Sequence, residues 1–155
     1  MAEQRATVKI NNTGVMLYGK ALGHEPTQSD LLAAIPYEPD RRFAKMDNMR
    51  ELLVFDDIGV CSLCERDPNV VHAIIFHFER PDWRELDDQD PKAYFRNPIL
   101  MGRVAFTPPV QKSVADEASE QSFINLLFFF TGQDRGVAGL TIGFALNEAK
   151  VNPDY

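Results

Sequence analysis

The chain has 155 residues, 45% hydrophobic and 25% charged, with a net charge of −7 from 16 basic and 23 acidic side chains. A chain of this length supports one domain that buries roughly 70% of its unfolded surface. The acidic balance disfavours nucleic acid and anionic membranes, which select clustered Lys and Arg, and suits a basic protein partner; the plainer reading of the charge is solubility.

Met1 to Thr7 lacks an apolar signal-peptide core, and the most apolar run, Ile124 to Phe130, is far shorter than the roughly 20 residues of a membrane helix. A cytoplasmic protein is therefore expected. Thr7 to Leu17 reads as a hairpin turning at Asn11 to Gly14. Ser29 to Ile35 reads as a short helix, capped by Thr27 or Ser29 and stopped by Pro36 and Pro39. Asp40 to Arg50 reads as a polar connection.

Glu51 to Cys64 and Val70 to Phe78 read as a central hairpin around Glu65 to Asn69. Arg80 to Pro98 is a long acidic loop with three prolines. Ile99 to Phe106 reads as a strand and Val114 to Glu120 as a short helix. Ser122 to Phe130 and Val137 to Leu146 form a last hairpin across Gly132 to Gly136, and Asn147 to Tyr155 is a frayed tail.

These elements predict an α+β fold: one antiparallel sheet with two short helices on one face. Val71 to Phe78 matches Val137 to Phe144 in apolar pattern and closing Phe, which fits a two-fold internal repeat or a chance likeness of two core strands. Residues 1–155 are expected to form a single domain, with lobes 6–79 and 99–147 joined by the acidic loop 80–98.

No residue set assembles a recognised reaction centre, so no catalytic residue, metal or cofactor is expected. Cys61 and Cys64 form a lone C-x-x-C in a strand pattern; residues three apart point to opposite faces, which favours free buried thiols over zinc or redox chemistry. Asp56 and Asp57 likewise diverge, and turn-making beside Gly59 or pairing with Arg41 or Arg42 is the structural role, with one of the two tied to backbone amides. His24, His72 and His77 lack a nucleophile pattern, although His77 with Ser62 or Cys61 could mimic a base and nucleophile. The glycines from Gly132 to Gly139 precede a strand, not the helix a phosphate loop needs.

The acidic loop is the candidate partner-binding segment, through Asp82, Trp83, Glu85, Asp87, Asp88, Asp90 and Tyr94. Aromatic anchors with acidic rims suit capture of a basic protein. The alternative is a solvated loop whose Trp83 tucks back onto the sheet.

Residues 8 to 78 resemble small bacterial immunity-type domains. The resemblance rests on the opening strand and turn Val8 to Leu17, the segment Leu31-Leu32-Ala33-Ala34-Ile35-Pro36-Tyr37-Glu38-Pro39-Asp40-Arg41, and the strand Val54-Phe55-Asp56-Asp57-Ile58-Gly59-Val60. Gly102 to Phe106 resembles the strand opening the second half. The helix-proline-strand order is also similar to beta-lactamase-inhibitor-like repeats. The resemblance implies a non-enzymatic protein that neutralises a cognate bacterial toxin or effector by stoichiometric binding. A small enzyme or ligand-binding domain with a pocket between sheet and helix is the alternative, and a subunit self-associating through sheet edges is a third.

Overall fold

The computed structural model describes residues 6–11, 14–23, 25–66, 69–80, 88–120, 125–130 and 136–144. In chain order these form β1 (Val8–Asn11), β2 (Gly14–Leu17), β3 (Lys20–Leu22), α1 (Gln28–Ala34), β4 (Arg41–Lys45), β5 (Arg50–Phe55), β6 (Val60–Arg66), β7 (Asn69–His77), β8 (Ile99–Met101), β9 (Val104–Phe106), α2 (Lys112–Ser119), β10 (Asn125–Phe130) and β11 (Val137–Gly143). The frayed tail expected from Asn147 lies outside the described residues.

The strands divide into two sheets where one was expected. A five-stranded sheet has the order β3-β2-β1-β8-β9, and a six-stranded sheet has the order β10-β11-β7-β6-β5-β4. The larger sheet is antiparallel throughout. The smaller one contains a parallel pair, β1 with β8, in which Val8 lies opposite Ile99. A parallel pair needs a long crossover, and the chain between β1 and β8 supplies it. Strands of the two expected lobes are therefore neighbours in both sheets.

Side-chain alternation places the core. Along one row of the larger sheet Phe55, Val60, Phe76, Leu140 and Phe128 are successive partners, and all are buried. From the smaller sheet Val8, Ile10, Val15 and Leu17 join the same apolar cluster. Residues of one strand two apart share a face, so this alternation fixes the register of both sheets against one core.

Two expected strands prove to be hairpins. Glu51 to Cys64 is broken by a turn at Asp56 to Gly59, and Ile99 to Phe106 by one at Gly102 and Arg103. Gly59 and Gly102 adopt φ of +71° and +61°, which glycine reaches without a Cβ clash. The connection expected at Arg41 to Lys45 is an edge strand instead. Its charges hide the strand pattern and also guard the open edge.

Both helices match their expected positions. Thr27 caps α1 in a reciprocal box: Asp30 N–H donates to Thr27 Oγ1 at 3.1 Å, and Thr27 N–H donates to Asp30 Oδ2 at 2.9 Å. α1 packs against β3 and β7, and α2 against β9 and β10, so each helix touches both sheets. Leu31 and Ala34 bury the inner side of α1, and Ala115 and Ala118 that of α2.

The two segments alike in sequence make corresponding contacts. Val71 N–H donates to Pro26 O at 2.7 Å, and Val137 N–H donates to Val110 O at 3.0 Å. The residue before each valine bridges a helix N-cap: Val70 to Thr27, Gly136 to Gln111. Phe78 N–H donates to Ala138 O at 2.7 Å, and Phe144 N–H donates to His72 O at 3.0 Å. No helix among the described residues is long and apolar enough to cross a membrane.

Candidate functional site

The acidic loop is described from Asp88 onward; Asp82, Trp83, Glu85 and Asp87 lie outside the described residues. The part that is described is fastened to the edge of the larger sheet. Arg41, on edge strand β4, meets Asp56, in the β5–β6 turn, through two hydrogen bonds: Nη2 to Oδ1 at 2.7 Å and Nε to Oδ2 at 3.0 Å. The same guanidinium donates to Asp90 O at 2.8 Å and to Asp88 O. Asp56 Oδ1 also accepts from Lys92 N–H at 3.1 Å, and Asp56 O accepts from Ala93 N–H at 2.9 Å. Lys45 reaches the Gln89 side chain.

Fork and carboxylate thus share two hydrogen bonds, and between them they hold the backbone of Asp88, Asp90 and Lys92. Asp56 is 6% exposed, a position that a lone carboxylate would not tolerate. The hydrogen bonds from Arg41 outweigh burial and hold its carboxyl below the usual range. The expected tie of Asp56 to Arg41 and to backbone amides is present. Its cause is a turn rather than a strand: Asp56 points inward while Asp57 is exposed.

Further along, Phe95 N–H donates to His77 O at 2.7 Å, and Phe95 is fully buried against Phe76 with ring centroids 5.0 Å apart. Gly59 lets the loop pass this closely, since a Cβ there would lie 2.3 Å from Phe95 N. Arg96 donates to Phe78 O at 2.8 Å and stacks over the Tyr94 ring at 5.4 Å. Of the named partner-binding residues, Asp88 and Tyr94 are exposed, and Asp90 is half-buried with its carbonyl committed to Arg41.

The other candidate groups are dispersed. Cys61 and Cys64 are both buried. Cys64 Sγ lies 3.7 Å from Ser62 Oγ on the core side, and burial pushes its thiol up, away from the reactive thiolate. Ser62 Oγ donates to Ala73 O at 3.1 Å. Ser62 pairs with Ile74, whose side faces the core, while His77 lies on the opposite face beside Phe129, so Ser62 and His77 are not a base and nucleophile. Burial and Arg50 hold the His72 imidazole below its ordinary range, with Glu65 at 3.5 Å opposing. His24 lies outside the described residues, as do the turn residues Gly132 to Arg135. Among the described residues no three His, Cys, Asp or Glu side chains gather as a metal set.

A second feature has a lining that the sequence did not indicate. A cleft of about 560 Å³ opens between the smaller sheet and α1, lined by Lys9, Met16, Tyr18, Lys20, Ala33 and Pro36 among others. His77, Asp56 and Cys61 are not part of it. Tyr18 has a φ of +49° in the β2–β3 turn, its ring meets Tyr37 edge-on at 6.3 Å, and burial pushes its hydroxyl up to about 12. The only hint in the sequence was Tyr18-Gly19, a two-residue turn signal hidden between short strands.

No family model, no curated protein and no solved structure matches the chain.

Proposed function

We propose that this is a non-enzymatic binding protein that neutralises a cognate bacterial toxin by stoichiometric binding, through the acidic segment containing Asp82, Trp83, Glu85, Asp87, Asp88, Asp90 and Tyr94. The observation that carries the reading is the anchorage of that segment. Arg41 and Asp56 hold its Asp88 to Ala93 backbone against the sheet, so the carboxylates start from a fixed base. Fixing a loop before binding reduces the ordering cost at the interface. Carboxylates clustered on one segment attract a basic partner and speed its capture. The protein acts in the cytoplasm, and the scaffold is a duplicated unit. The matching helix-to-strand contacts of Val71 and Val137 support the duplication.

Affinity capture with the tagged protein from a toxin-bearing strain tests the reading. Recovery of one toxin, in equal amounts with the bait, supports it. Recovery of none counts against it.

The cleft beside α1 favours a second reading, a ligand-binding domain with its pocket between sheet and helix. Saturable binding of a small molecule that Lys9 or Tyr18 variants abolish supports this alternative.

A further inference from the structure

The charges and shape of the cleft specify what it would take. Resting on the ligand-binding reading above, we propose that the cleft binds a small organic anion, its acidic head at Lys9 and Lys20 and its flat apolar body against Tyr18, Met16 and Pro36.

The protein carries a net −7, yet no residue lining this cleft is acidic and two are lysines. Among the described residues neither lysine has a carboxylate partner. Lys20 Nζ is held in place, donating to Ala33 O at 2.8 Å near the end of α1. An ammonium has three donors, so two remain for a ligand. Two neighbouring cations without a carboxylate partner among the described residues, one of them held in place, raise the local concentration of an anion even on an acidic protein.

The shape of the cleft points the same way. Tyr18 and Gly19 have φ of +49° and +81°, the left-handed pair of a tight two-residue hairpin turn. Asn, Asp or Gly is favoured at the first of these positions. A tyrosine there is strained, because its Cβ crowds the following carbonyl oxygen. The strained residue forms a wall of the cleft, where strain is kept when it shapes a site. Tyr37, 52% exposed, adds a second aromatic ring beside it. Retaining its proton to about 12, Tyr18 adds no negative charge against an anion at neutral pH.

Two fluorescent probes test this on the full chain: the anionic anilinonaphthalene sulfonate and the uncharged N-phenylnaphthylamine. The proposal expects saturable sulfonate binding at one site, displaced by decanoate. Lys9→Gln should weaken it about ten-fold, the loss of one charge contact, and Lys112→Gln, on α2, should leave it unchanged. Uncharged-probe binding with sulfonate affinity indifferent to Lys9→Gln overturns the anion proposal and leaves the ligand-binding reading standing. Binding of neither probe overturns both.

Discussion

Arg41 grips both carboxylate oxygens of Asp56, at 3.0 and 2.7 Å, across the β4 edge and the β5–β6 turn. The same fork holds the backbone of the acidic segment, so one ion pair joins sheet stability to display of the candidate interface. Breaking the pair from either side leaves a nearly buried charge or an empty fork.

Arg41→Ala should therefore lower stability by about 3 kcal/mol, the low end for breaking a buried pair because Arg41 is 27% exposed. Arg41→Lys should recover little, since an ammonium cannot span both oxygens and two carbonyls at once. Urea denaturation of the three proteins measures this. Equal midpoints would show the pair to be energetically idle.

Acid should unfold the protein in two identifiable windows. The Asp56 carboxyl is lowered in the folded chain, so its contribution is complete above the unfolded value of about 4 and lost as pH falls through the lower folded value. His72 is also lowered, so the unfolded chain takes up a proton first and stability falls as pH drops below about 6.5. Asp56→Asn should flatten the lower window and His72→Gln the upper one, read from urea midpoints across the pH range.

Glycine replacements probe two close approaches. A Cβ on Gly139 would meet Phe129 Cζ at 2.1 Å and Phe76 O at 2.4 Å, splitting β11 from β7. Gly139→Ala should destabilise by about 3 kcal/mol, the upper range for overpacking. Gly59→Ala adds backbone strain to a clash with Phe95 N, and hydrogen exchange should show loss of protection at Phe95 N–H before global unfolding. Wild-type protection at Phe95 in this variant would contradict the close approach.

Much of the scaffold was legible in the sequence, because alternation survives wherever one face is buried. The hairpin of β1 and β2, the strand β7, the Thr27 cap and the position of α2 all follow from local pattern. Division into two sheets was not legible, since the β1–β8 pairing joins residues about ninety positions apart and leaves no local trace. The edge strand β4 was missed because Arg41, Arg42 and Lys45 break its apolar rhythm. At the candidate site, the Asp56–Arg41 pair and a turn beside Gly59 were both visible as options, but Glu51 to Cys64 was read as one strand where the turn divides it in two. The lining of the cleft was unreadable because Lys9, Tyr18 and Ala33 belong to different elements.

Calorimetric titration of the purified protein with the purified toxin recovered by affinity capture tests the central claim, capture of a partner by the anchored acidic segment. The account predicts one partner per chain at nanomolar affinity, weakened at least about ten-fold by Trp83→Ala and by the double change Asp87→Lys with Asp88→Lys. Absence of binding, or an affinity that both variants leave unchanged, would contradict it.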